Sequence, residues 1–217
     1  MPGLSELQTR SAELIRKGLQ GSVFAKRFDS EDPEIEALVD AEGLLAIPSG
    51  YEDLGWITQD QGATWTRDVE TSDVNSLGSA EPTRRDITSD VTGLQVTAQE
   101  SKAVNIGLHE GVDLSAVTHD TDGNVTFDKP DRPASIFYRV FVLFKDGDGA
   151  DAVYFAKWLP RAQVTDMGEQ QWNEENEVQY SLTFTAFVDQ EVGTSARTLW
   201  AGPTATIEAM GFEAATP

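Results

Sequence analysis

A mainly β chain, folded as an antiparallel sandwich or barrel with one or two short helices, is what this sequence predicts. Three observations carry that reading. Ile136–Phe144 is a run of β-branched and aromatic residues, apolar on both faces and broken only by Arg139, which suits a central strand. Asp146-Gly147-Asp148-Gly149 then gives a turn signal, and 152–159 returns as the partner strand. Further on, Val178, Tyr180, Leu182, Phe184, Ala186 and Val188 alternate with Gln179, Ser181, Thr183 and Thr185, so one face is apolar and the other polar. Phe141, Tyr154 and Phe184 stand in the densest of these alternations and are the expected core residues.

The remaining elements follow in chain order. Leu4, Leu7, Leu14, Ile15 and Leu19 recur at near-helical spacing, with Gly18 and Gly21 to end a helix. Val23, Phe24, Ala25 and Phe28 predict a short strand. Asp32-Pro33 before Ile35, Leu38 and Val39 predicts a brief helical turn. Gly43, Pro48, Gly50, Gly55 and Gly62 mark a loop-rich stretch. Polar and β-forming residues mix over 64–74 without a clear apolar face, and Val91, Leu94 and Val96 lie in a second β-rich stretch over 88–99. The 98–109 stretch fits a helix through Glu100, Val104 and Leu108, or a strand through Val104, Ile106 and Leu108; the helix is preferred. Residues 120–131 carry turn signals at Asp122-Gly123, Asn124 and Lys129-Pro130.

Composition narrows the function classes. Acidic residues number 37 and basic residues 16, a formal net charge of −21, which opposes binding to nucleic acid or to an anionic membrane. No apolar run approaches the roughly 20 residues of a membrane span, nor does the start resemble a signal peptide, so synthesis in the cytoplasm is expected. Cysteine is absent, which removes disulfides and thiolate chemistry. The charge is uneven: residues 1–30 carry +2 and the remainder −23.

The search for chemistry finds little. Asp120-Thr121-Asp122-Gly123-Asn124 and the turn from Asp146 to Asp151 look like fragments of calcium loops, but position 12 is Asp131 in one and Lys157 in the other, where an EF-hand needs Glu. Hairpin-turn chemistry is the preferred reading of both. His109 beside Glu110 and His119 beside Asp120 could act as bases, yet no Gly-x-Ser-x-Gly elbow or phosphate loop accompanies them. Trp158, Trp172 and Trp200 could form a sugar platform, but packing in a core or an interface is the commoner use. The residues therefore favour a binding or structural protein over an enzyme, with no metal and no cofactor.

Several stretches resemble the major tail protein, or tail tube protein, of long non-contractile-tailed phages of actinobacterial hosts. Pro48-Ser49-Gly50-Tyr51-Glu52-Asp53-Leu54-Gly55 is similar to that family's Pro-x-Gly-Tyr-x-Asp-Leu-Gly stretch. Glu70 to Asp86, with Gly78, Pro82 and Arg84, resembles its acidic β segment and Pro-Arg turn. Glu100-Ser101-Lys102 resembles its entry to a short helix. Leu159-Pro160-Arg161-Ala162-Gln163-Val164 and Trp172 resemble its Tyr-Pro-Arg-Ala strand and that strand's partner, and Tyr180 to Ala186, Asp189, Gly193 and Trp200-Ala201-Gly202-Pro203 resemble its closing strand and tail. The likeness spans roughly residues 13–205.

The resemblance implies hexameric rings stacked around a tape measure protein, meeting terminator and distal tail or baseplate proteins, in a virion tube that conducts DNA without binding it. Many relatives continue into an immunoglobulin-like domain; this sequence ends at Pro217, so a bare tube subunit is expected. The expected division is an N-terminal arm over 1–30, with Leu7, Leu14, Ile15 and Leu19 as its assembly residues, and one β domain over 31–217. Gln179, Ser181, Thr183 and Thr185 are the expected lumen-facing residues. The alternative reading is a carbohydrate- or receptor-binding β-sandwich of a virus tail, with Trp65, Trp158 and Trp200 as ligand contacts.

Overall fold

The computed structural model describes residues 8–32, 34–40, 45–132 and 134–215. Eight strands form one antiparallel sheet: β1 (Gln20–Arg27), β2 (Glu52–Asp53), β3 (Ala63–Val74), β4 (Arg84–Ala98), β5 (Tyr138–Asp146), β6 (Val153–Met167), β7 (Tyr180–Ala186) and β8 (Arg197–Ala201). Two helices accompany them, α1 (Ala103–Glu110) and α2 (Thr204–Ala209). The spatial order is β2-β1-β5-β6-β7-β4-β3, and β8 also pairs with β6.

β6 is where the sheet divides. Its first half pairs with β8, from Tyr154 opposite Ala201 to Trp158 opposite Arg197. Its second half pairs with β7, from Ala162 opposite Ala186 to Met167 opposite Leu182, across an irregularity between Val164 and Asp166. One long strand thus serves two partners along one edge, and the bulge increases its twist. The sheet curls as a result. Lys157 of β6 lies 4.6 Å above the ring of Trp65 in β3, although a flat sheet would separate strands three apart by about 14 Å. It does not close, because β2 and β3 end the order unpaired with each other. The expected sandwich or barrel is therefore one continuous, curled, unclosed sheet.

Both faces of β5 are covered, as its sequence requires. On the inner face Val140 and Val142 join Val23, Leu94, Val96, Leu159, Leu182, Phe184 and Leu108 in the larger core. On the other face Phe141, Ala156, Trp158 and Leu199 pack with Ile35 and Leu38. Ile35 and Leu38 sit in irregular chain rather than in the expected helical turn. A loop suffices there because two well-spaced side chains are all this smaller core takes from it. Phe141 and Phe184 are fully buried; Tyr154 is half-buried at the edge of the smaller core.

Arg139, the one charge in the β5 run, is 1% exposed. Its Nη2 donates to the Asp29 carbonyl at 3.0 Å and lies 3.6 Å from Asp189 Oδ2, while Nε is 3.8 Å from Asp32 Oδ2. The guanidinium also sits over the rings of Phe28 and Trp158. A buried cation in that setting holds the 28–32 segment and the Asp189 turn against the sheet.

Two loop motifs meet at one corner. Leu54 is fully buried and its N–H donates to the Val23 carbonyl. Gly55 has φ +84 and lies so close to the Glu100 carboxylate that a Cβ would stand 2.3 Å from it. Glu100 Oε1 in turn accepts the Trp56 N–H at 2.7 Å. Asn105 of α1, wholly buried, donates to the carbonyls of Leu54 and Glu100. α1 ends at Gly111 in the left-handed region, the usual glycine stop.

Tyr51, from the same loop, accepts a hydrogen bond from Trp158 Nε1 at 2.9 Å. Burial pushes its hydroxyl up from 10.0 to about 12, against the opposing effects of that hydrogen bond and of Arg139. Two predictions follow from these cores. Phe184→Ala lowers unfolding free energy by about 3–5 kcal/mol, seen as a shifted denaturant midpoint; an unchanged midpoint contradicts the packing. The raised Tyr51 pKa means the folded state holds its proton longer, so its stabilising effect is complete below pH 10 and lost as pH rises through about 12. Melting measured over that window falls for the wild type and falls less for Tyr51→Phe, which itself costs about 1–3 kcal/mol by leaving Trp158 Nε1 unpaired.

Candidate lining and assembly surfaces

The outward face of the β3-β4-β7-β6 region is built from hydroxyls and amides. Register places Thr64 opposite Gln95, Gln95 opposite Thr183, Thr97 opposite Ser181, and Gln163 opposite Thr185. Alternation along each strand sends these side chains to the face opposite Leu94, Val96, Leu182 and Phe184. Gly93 lies in the same row, between Thr66 and Thr185; a Cβ on it would stand 2.4 Å from Thr66 Oγ1. The hydroxyls bond to one another, Thr165 to Thr185 at 2.8 Å and Thr97 to Ser181 at 3.3 Å. Ser181, Thr183 and Thr185, three of the four expected lumen residues, are therefore together on one surface. Gln179, just before β7, stands at its border. The sequence reading missed the contributions of β3, β4 and β6; the Thr-rich alternation at 92–97 was the available signal.

One border of this surface carries a carboxylate and the other a guanidinium. Glu177 accepts hydrogen bonds from Gln179 and Gln99, which hold its carboxyl below the usual carboxylate range. Arg161, at the opposite border on β6, is turned onto the rings of Phe137 and Phe28.

β3 and β4 continue far beyond the sheet. β4 pairs with β7 only over Gly93–Ala98, so Arg84–Thr92 has β3 as its sole strand partner. At about 3.3 Å per residue this two-stranded ribbon reaches roughly 30 Å. Arg67 and Asp90 pair bidentately at 2.9 and 2.6 Å, and Arg85 and Asp73 at 2.7 and 2.8 Å. These pairs hold both Asp carboxyls below their ordinary range. The ribbon leaves Val69, Val74, Leu77, Ile87 and Val91 exposed. Its tip is a tight turn, closed by the Ser79 N–H on the Ser76 carbonyl, with Gly78 at φ +86.

The N-terminal segment differs from its expected helix. Ala12–Leu14 form a single 3-10 turn and Gln20–Arg27 are β1, paired along its length with β5. Residues 20–27 of the expected arm are therefore part of the sheet. A helix this short has no stability of its own without a surface against its apolar stripe. Leu14 is half-buried, Ile15 is 72% exposed and Leu19 is 64% exposed. Leu7 lies outside the described residues. Gly18 and Gly21 fit against the Phe144 ring, where a Cβ on either would collide with it, and Arg16 lies 3.5 Å from Asp146.

His109, Asp120, Trp65, Trp158 and Trp200 make contacts within this fold, whereas Trp172 is 82% exposed. His109 Nε2 is 3.2 Å from the Gly168 carbonyl and its ring meets Tyr180 edge-on. Asp120 Oδ1 accepts the N–H groups of Asp122 and Asn124 and closes a turn. Among the described residues no group of three or more His, Asp or Glu side chains is placed to hold a metal. Trp158 is fully buried, so it cannot contact a ligand as the carbohydrate reading requires. Trp65 lies under Lys157 and Trp200 stacks on Phe155. No helix among the described residues is long and apolar enough to cross a membrane.

A family model described as phage tail tube protein matches residues 9–205. A search of curated proteins returns no match. Among solved structures, a chain of the virion of a native gene transfer agent particle is similar at 11% identity and TM-score 0.35, covering 72% of this chain and 92% of that one. A crystal structure of Hcp protein is similar at 10% identity and TM-score 0.30, covering 82% of this chain and 97% of that one.

Proposed function

The chain belongs to the phage tail tube protein family, and from that premise we propose that it builds the tube of a long non-contractile tail as stacked hexameric rings enclosing first a tape measure protein and then DNA in transit. Its role is structural and its place is the tail of the virion. The observation that supports a conduit is the Ser/Thr/Gln face spread over four strands. A duplex carries one phosphate charge per about 1.7 Å, so any ring of Lys or Arg facing it would retard it by counterion release. Hydroxyls and amides offer no such grip. The net charge of −21 per subunit repels the duplex further wherever it faces inward.

The N-terminal segment up to residue 19 serves as an assembly arm. It carries cations toward subunits that are otherwise strongly acidic, and it leaves Ile15 and Leu19 for another surface to cover. Tail terminator and distal tail proteins bound the finished stack. No step in this role requires a cofactor or a reaction.

Two measurements test the reading. Concentrated wild-type protein forms rings or tubes in negative stain, and deletion of residues 1–15 abolishes them while leaving the melting curve unchanged; normal tubes from the deletion variant would falsify the arm. Virions carrying Thr183→Lys with Ser181→Lys assemble tubes of normal length but eject DNA more slowly, with the deficit shrinking as salt screens the added charge. Ejection at the wild-type rate removes Ser181 and Thr183 from the lumen.

A further inference from the structure

The two ends of the larger core are finished differently. α1 covers one end, where Leu108 is buried in the cluster. The other end opens as a cleft of about 360 Å³ lined by Trp65, Phe144, Phe155, Lys157 and Trp200, with Gly18 at its edge. Phe144 stacks on Phe155 at 5.9 Å and Phe155 on Trp200 at 5.2 Å, a row of rings across three strands. Leu19, next to Gly18, is 64% exposed. Opposite this in character is the tip of the β3–β4 ribbon. Leu77 is 109% exposed, so nothing in its own subunit covers it. The ribbon leaves the sheet at Gly93, so Leu77 lies roughly 30 Å along it from the last residue that pairs with β7.

We propose that the aromatic cleft is the receptor for the ribbon tip of a second copy of this chain, with Leu77 inserted among Trp65, Phe144, Phe155 and Trp200. The inference rests on the tube reading and names the contact that joins one subunit to another. Shape and polarity agree: a single branched aliphatic side chain at a tight turn is narrow enough to enter an aromatic-walled cleft. Charge agrees as well. Glu81 is exposed at the tip, and Lys157 is the cation that lines the cleft. On a subunit of net charge −21, a cation set in an apolar wall gives an acidic partner a specific place to dock.

The absence of cysteine makes the test clean. Leu77→Cys protein and Thr198→Cys protein, Thr198 being a further lining residue, are mixed, assembled and oxidised. A disulfide between the two variants, made distinguishable by a size tag, is expected in assembled material and not in dilute subunits. Leu77→Asp raises the concentration needed for assembly by about tenfold or more without moving the melting temperature. Glu81→Lys weakens assembly and Lys157→Glu in the same chain restores it. Wild-type protein that forms no tubes overturns the tube reading itself. Wild-type tubes with no Leu77–Thr198 disulfide, or with Thr198→Cys captured by Ile15→Cys instead, overturn this inference alone.

Discussion

A strand apolar on both faces has to be covered twice, and β5 imposes that requirement on everything around it. Val140 and Val142 demand a roof on one side, while Phe141 demands one on the other. The first roof comes from the same sheet, which curls back through β6 until β3, β4 and β7 stand over the inner face. The second comes from β8 and from two side chains of irregular chain, Ile35 and Leu38. The fork in β6 is the geometric answer to this demand. A single strand that pairs with β8 and then with β7 can feed both roofs without a second sheet.

Burying so much apolar surface leaves the polar surfaces free for other work. The outward face of β4 and β7 takes no part in the larger core, since Leu94, Val96, Leu182 and Phe184 point the other way. That freedom allows a patch of Ser, Thr and Gln, residue types that hydrogen-bond among themselves and present little net field. Arg139 shows the opposite strategy. Where a charge does enter the core, it is met by Asp32, Asp189, a carbonyl and two aromatic rings, and the cost of its burial is offset by the loops it holds in place.

The parts of the fold that were legible in the sequence are those whose side chains repeat with the period of the backbone. β5 and β7 announced themselves because the unbroken apolar run at Ile136–Phe144 and the alternation at Tyr180–Ala186 report burial directly, and β6 followed from the turn signal after β5. α1 was legible at the level of choosing between two periods. β3 gave no apolar face because most of it has none: beyond Trp65 its residues are exposed and its partner is one other strand. The N-terminal stripe misled in the other direction. Leu14, Ile15 and Leu19 have helical spacing, yet spacing only specifies a helix when a surface receives the stripe, and among the described residues Ile15 and Leu19 stay exposed. β8 was missed because its role is to pair with half of β6, a fact of topology that the five residues Arg197–Ala201 do not carry. For the polar surface, β7 supplied the pattern, but the contributions of Thr64, Gln95 and Gln163 depend on register, which no single strand reveals.

The ribbon has a further consequence. Two strands without a third are marginal in water, and the Arg67–Asp90 and Arg85–Asp73 pairs that brace them are open to solvent and to salt. Its amides are protected by one partner strand and by little buried surface, whereas those of β5 are locked behind two layers of side chains. Hydrogen exchange in the ribbon is therefore governed by local opening and that in β5 by loss of the whole core. The free subunit has two stabilities, one for its body and a much smaller one for the part that reaches away from it.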